Sequence, residues 1–132
     1  MEESNNFLED LFGLDDKTVL VTGATGQLVE VLCQGFLDAG SKVIGLDLII
    51  DDSKIIQDGK ISYYPLDITV KQSVKNLFAK LYKKYNSIDV LINNAGVSTF
   101  EPFVDRLEES FDWVSNVNLK GTFLCIQEYF KH

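Results

Sequence analysis

Short apolar runs alternate with amphipathic stretches along this chain. Val19-Leu20-Val21 is a β-branched run that ends in the turn-rich Thr22-Gly23-Ala24-Thr25-Gly26. From Leu28 the period changes: Leu28, Val31, Leu32 and Phe36 fall at i, i+3, i+4 and i+8, a helical stripe. Gly40 follows as a C-cap. Lys42 to Asp47 reads as a second buried strand, residues 51–60 as a loop or short irregular helix, and Ile61 to Leu66 as a third strand. Val70, Val74, Leu77, Phe78, Leu81 and Tyr85 then make one apolar stripe, with lysines on the other faces. Ile88 to Ile92 predicts a fourth strand running into Asn93-Asn94-Ala95-Gly96. After a turn at Glu101-Pro102, residues 104–117 look helical, and a last helix begins near Asn118 and continues to His132. Strands alternating with helices of this length predict parallel βαβ units in an α/β, doubly wound sheet of about four strands.

The 132 residues suit one domain, with Met1 to Asp15 expected to form an acidic, loosely attached arm and residues 16–132 the folded unit. Formal net charge is −8, and Lys80, Lys83 and Lys84 form the densest basic cluster. A phosphate-tracking protein needs a basic stripe, so nucleic acids and anionic membranes are excluded as partners. The single histidine, His132, argues against His-based triads and His-ligated metals. Cys33 and Cys125 match no metal spacing and read as small apolar core residues, with nothing pointing to an oxidising compartment. The N-terminus lacks the pattern of a signal or transit peptide, and no apolar run approaches the roughly 18 residues a membrane helix needs. The expected location is the cytosol.

Chemistry concentrates at the strand ends. In a βαβ unit the first strand-to-helix turn presents backbone N–H groups at a helix N-terminus, where partial positive charge suits a pyrophosphate. Thr22-Gly23-Ala24-Thr25-Gly26 occupies that place, although a structural Gly-rich turn would look similar. Asp47 stands 21 residues beyond Gly26, at the end of the second strand, where a carboxylate can accept both hydroxyls of an adenosine ribose. It would repel a 2′-phosphate, and no basic residue follows before Lys54, so NAD is favoured over NADP.

Thr22-Gly23-x-x-Gly26, Asp47, Leu66-Asp67-Ile68-Thr69, Asn93-Asn94-Ala95-Gly96 and Asn116-Val117-Asn118-Leu119-Lys120-Gly121 occur in an order that resembles the short-chain dehydrogenase/reductase superfamily, from about residue 12 to the end. The resemblance implies a Rossmann-type fold and hydride transfer between a nicotinamide and an alcohol or carbonyl carbon of a small molecule. The opening residues 11–17 look like members acting on sugar acids, polyols or oxoacyl groups. Gly23, Thr25, Gly26, Gln27 and Leu28 would line the pyrophosphate turn, and Asp47 would hold the ribose. Asp67 and Ile68 would contact adenine, while Asn94, Ala95 and Gly96 would border the ribose and brace the fourth strand. Asn118 matches the asparagine that members use to organise a water-linked proton relay.

Two departures from the family pattern stand out. Its common spacing puts glycines at positions 27 and 29, where this chain has Gln27 and Val29; a variant spacing accepts Gly23 and Gly26 and leaves Val29 as the misfit. Because the third glycine permits close helix–strand packing, Val29 is expected to displace the helix and weaken NAD binding. The family's Tyr-x-x-x-Lys pair, whose lysine lowers the tyrosine pKa, is found at none of the tyrosines. In the family it follows the Asn118 segment, so this chain is expected to supply the cofactor half and to be inactive by itself. The last helix carries Leu119, Phe123, Leu124, Ile126 and Phe130, and resembles one that packs on a partner subunit in family members; a homo-oligomer is expected. A non-catalytic dinucleotide-binding or interaction module, and an epimerase or dehydratase of the extended branch, remain alternative readings.

Overall fold

The computed structural model describes residues 11–52 and 60–132. Most of the 51–60 loop and the first ten residues of the expected arm lie outside the described residues. Leu14, near the end of that arm, is tied down rather than loose: its N–H donates to the carbonyl of Ala39 at 2.9 Å.

Four parallel strands form one sheet in the order β3-β2-β1-β4: β1 (Thr18–Thr22), β2 (Lys42–Asp47), β3 (Ile61–Pro65) and β4 (Val90–Ile92). All five residues of β1 are buried, as a central parallel strand covered on both faces should be. In register, Leu20 lies opposite Ile44 on one side and Leu91 on the other. Alternation of side chains then divides the core into two layers. Leu20, Ile44 and Leu46 face helix α2 (Lys71–Tyr85) and the C-terminal helical segment, whereas Val19, Val21 and Val43 face helix α1 (Gln27–Asp38). The fold is the doubly wound parallel α/β sheet expected from the alternating pattern, in the Rossmann-type arrangement that the resemblance implies.

Helix α2 buries Val74, Phe78 and Leu81, while the predicted stripe's first member, Val70, caps the helix and is 44% exposed. Helix α1 departs further from expectation. The predicted stripe is not the buried one: Leu28 is 80% and Val31 76% exposed, while Val29 is 1% exposed and packs with Cys33. Nearly every position from 28 to 33 is apolar, so periodicity alone could not choose the rotation. The floor chooses it, because Val29 and Cys33 meet Val19, Val21, Ala24, Val43 and Ile61. Val29 is thus a core residue and not a misfit. Gly45 of β2 provides room beneath this layer, since a Cβ there would lie 2.8 Å from that of Ala24.

The C-terminal third differs from two separate helices. A single 3₁₀ turn (Phe103–Asp105) is followed by extended backbone at Arg106 and Leu107. Helix α3 (Glu108–Ser115) then runs without a break through a π-helical segment (Asn116–Gly121) into α4 (Thr122–Tyr129). Two packing demands meet in the widened turn. Gly121 lies against Ile68, where a Cβ would be 2.6 Å from Cδ1, and Asn118 reaches the chain after β4. On α4, Leu124 and Cys125 are buried against the sheet, and burial pushes the Cys125 thiol up to about 12. No helix among the described residues is long and apolar enough to cross a membrane.

Candidate functional site

The chain leaves β1 for β2 and β3 on one side and returns to β4 on the other. Such a reversal opens a crevice at the carboxyl ends of the strands. Here all four strand ends contribute to one cavity of about 390 Å³. Its wall includes Gly23, Thr25 and Gly26 after β1, Asp47 at the end of β2, Asp67 and Ile68 after β3, and Asn94, Ala95 and Gly96 after β4. Leu46, Leu48, Leu66, Thr69, Val97, Trp113 and Val117 complete it. Residues separated by up to 94 positions in sequence therefore share one wall, and the size falls in the range of small-molecule sites.

The floor is built of backbone. Gly23 has φ +68°, a conformation that favours glycine, and a Cβ there would lie 2.8 Å from the Cα of Ala95. The close approach to the Ala95 backbone excludes a side chain, and the positive φ would add strain to one. Gly26 is the N-cap of α1 with no side-chain cap bond. The first N–H groups of a helix have no intrahelical partner, so this end of α1 offers donors and partial positive charge toward the cavity.

Thr22, which the motif reading did not single out as functional, holds this floor together. Its buried Oγ1 accepts hydrogen bonds from the backbone N–H groups of Asn94 and Ala95, both at 3.1 Å. The Asn94 side chain answers by donating from Nδ2 to the carbonyls of Thr22 at 3.1 Å and Gly23 at 3.3 Å. The Gly-rich turn and the Asn-Asn-Ala-Gly segment are thus one hydrogen-bonded unit. The signal for Thr22 was a hydroxyl at the carboxyl end of the central strand, directly before the Gly-rich turn.

The acidic residues at the rim are already engaged. Asp47 Oδ2 accepts from the backbone N–H of Thr25 at 2.9 Å and from its hydroxyl at 2.8 Å, while Oδ1 accepts from Leu48 N–H at 2.7 Å. Asp67 Oδ1 closes a local turn, accepting from Thr69 N–H at 2.9 Å and Thr69 Oγ1 at 2.6 Å. Asn118 does not line the cavity; its Oδ1 accepts from Val97 N–H at 2.8 Å and its Nδ2 donates to Val97 O at 2.9 Å. This two-bond clamp ties the π-helical turn to the loop after β4.

Gln27 and Leu28 are not in the cavity wall. Burying Val29 turns the preceding residues outward, so Gln27 is exposed and Leu28 lines a separate apolar groove with Val31, Leu32 and Phe36. Among the described residues no group of three His, Cys, Asp or Glu side chains could hold a metal ion.

Comparison with known proteins agrees with this architecture. The profile of the short chain dehydrogenase family matches residues 17–132. An NAD-dependent glycerol dehydrogenase of Listeria innocua is 34% identical over 119 residues, which cover 88% of this chain and 47% of that protein. A short chain dehydrogenase of Leptospira borgpetersenii, solved with bound NAD+, is 36% identical with a TM-score of 0.80 over 94% of this chain and 48% of its own. ElxO, solved with NADP bound, is 29% identical with a TM-score of 0.82 over 88% of this chain and 50% of its own. The chain spans about half the length of the relatives it matches. Strand order, the turn after β1 and the family match lead to one assignment: the chain belongs to the short chain dehydrogenase family.

Proposed function

We propose that this chain forms the dinucleotide-binding half of an NAD-dependent oxidoreductase, in which hydride passes between a nicotinamide and the hydroxyl or carbonyl carbon of a small substrate. The observation that carries this reading is the gathering of Gly23, Gly26, Asp47, Asp67 and Asn94 around one cavity at the topological reversal of the sheet. The residues fit the cofactor's adenosine and pyrophosphate parts. The Cβ-intolerant backbone at Gly23 and the uncapped N-terminus of α1 suit a closely approaching pyrophosphate. Asp47 would meet the ribose, and Asp67 and Ile68 the adenine. The nicotinamide, when bound, supplies the hydride chemistry.

Asp47 supports NAD as the preferred form, because its carboxylate would oppose a 2′-phosphate across the ribose. Relatives of known structure include both NAD+ and NADP complexes, so the preference rests on this residue. Asn118 acts in this reading as a positioning residue whose amide is spent on Val97; it holds the loop that carries Asn94 to Gly96. A polyol, sugar acid or oxoacyl substrate is proposed for the whole protein, the first of these in keeping with the glycerol dehydrogenase relative. A homo-oligomer through the helical segment 116–129, where Leu119 and Phe123 are exposed, and a cytosolic location complete the proposal.

Trp113 lies in the cavity wall and provides the test. Titration with NADH is expected to quench its fluorescence saturably, with NADPH at least tenfold weaker (about 1.4 kcal/mol). Asp47→Ala should weaken NADH and erase the preference. Absence of saturable quenching by either nucleotide, or tighter binding of NADPH, would overturn the reading.

A further inference from the structure

The bonds at Asp47 have a consequence for ligand binding. A carboxylate offers about four acceptor positions, two on each oxygen. Oδ2 already accepts two donors, the backbone N–H and the hydroxyl of Thr25, and Oδ1 accepts the N–H of Leu48. One position therefore remains, on Oδ1. A vicinal diol held with one hydroxyl on each carboxylate oxygen needs a position on Oδ2 as well, so one of Thr25's donors must leave. The two donors are not equally free. The turn fixes the backbone N–H, because Ala24 N–H donates to Leu46 O at 3.1 Å and Gly26 N–H to Gly23 O at 3.3 Å on either side of it. The hydroxyl, in contrast, can leave by rotation about one side-chain bond.

We propose that the Thr25 hydroxyl is an affinity-setting competitor built into the site: it holds the acceptor on Asp47 that a ribose diol requires, and it must turn away before the diol can be gripped by both oxygens. The proposal rests on the dinucleotide reading above and adds a regulating residue to it. Thr25 resists removal from Asp47 because a hydroxyl donating to a carboxylate is one of the stronger protein hydrogen bonds. Its loss on ligand binding is a cost that a diol-bearing ligand meets and that a ligand without the diol avoids. Thr25 therefore lowers affinity, and its hydroxyl holds Asp47 in place only until the diol arrives.

The test compares the wild-type chain with Thr25→Val, which keeps the branched shape, and Thr25→Ser, which keeps the hydroxyl. NADH binding is followed by Trp113 fluorescence, and AMP and 2′-deoxy-AMP binding by calorimetry. Thr25→Val should bind NADH and AMP about tenfold more tightly than wild type, the scale of one charge-assisted hydrogen bond. It should bind 2′-deoxy-AMP as wild type does, and Thr25→Ser should match wild type on all three. Should Thr25→Val fail to fold by circular dichroism, Thr25→Ala serves the same comparison. Unchanged or weaker binding of AMP by the hydroxyl-free variant, with wild type binding NADH normally, would overturn the competitor and leave the dinucleotide site standing. Failure of wild type itself to bind NADH or AMP would remove both.

Discussion

Thr22→Val is the most direct probe of how the site is held. The substitution keeps the volume and branching of a fully buried side chain, so no cavity forms, but it deletes the acceptor shared by Asn94 N–H and Ala95 N–H at 3.1 Å each. A buried donor left without a partner costs about 1–3 kcal/mol. Asn94 N–H keeps the carbonyl of Ile92 at 3.1 Å, so only Ala95 N–H, which is half-buried, is left without a partner, a loss near the lower end, about 1–1.5 kcal/mol. Exchange of a hydroxyl for a methyl returns less than about 1 kcal/mol of apolar burial. The expected net loss is about 1 kcal/mol, read as a lower urea midpoint at unchanged slope, monitored by circular dichroism. Loosening the Asn94–Gly96 wall should also weaken NADH binding about tenfold, an independent readout through Trp113. Thr22→Ser retains the acceptor and should lose about 1 kcal/mol for its missing methyl. Two results would refute the reasoning: Thr22→Val as stable as wild type with NADH binding unchanged, or Thr22→Ser weakening NADH binding as much as Thr22→Val.

Two further predictions concern the core and the sheet edge. Motif spacing predicts that Val29→Gly tightens NAD binding, but burial predicts that it removes three core carbons, a loss of about 3 kcal/mol with glycine's helix penalty added. Urea unfolding and NADH titration of the same variant decide between them, and a variant as stable as wild type would mean that Val29 fits no better than glycine. Asp89 receives the N–H of Thr18 on Oδ2 at 2.9 Å and lies 3.5 Å from the Lys17 ammonium; these partners, the backbone bond foremost, hold its carboxyl below the usual range. Its folded pKa is depressed, so its stabilising contribution is complete above the unfolded value of about 3.9 and disappears as pH falls through the folded one. The stability gap between wild type and Asp89→Asn should therefore be open at neutral pH and close in acid. A gap of constant size from neutral pH to pH ~2.5 would show that charge plays no part.

The elements were legible where one face or both faces of a segment had no choice. Val19-Leu20-Val21 could only be a buried strand, and Lys42 to Asp47 its neighbour, because a parallel sheet covered by helices demands continuous apolar runs. Gly23 was legible as a turn because glycine adopts a positive φ without the strain a Cβ brings. Helix α1 existed in the sequence, but its rotation did not: with apolar residues on two faces, Leu28 and Val31 looked as suitable for the core as Val29 and Cys33. The continuous passage from α3 through a π-helical turn into α4 was equally hidden, since its causes are Ile68 and Val97, distant residues that demand room at Gly121 and a reach from Asn118.

Sequence by itself determined the fold class, the family and the residues that end each strand, because local periodicity and turn chemistry act within a few residues. What only the tertiary structure decided was how those strand ends engage one another. Thr25 and Asp47 stand 22 positions apart and Thr22 and Asn94 stand 72 apart, yet each pair is hydrogen-bonded in the folded chain. Such bonds depend on which strands become neighbours. That neighbourhood is set by burial of the whole sheet between α1 on one face and α2 and α4 on the other, a cooperative property that no local segment contains.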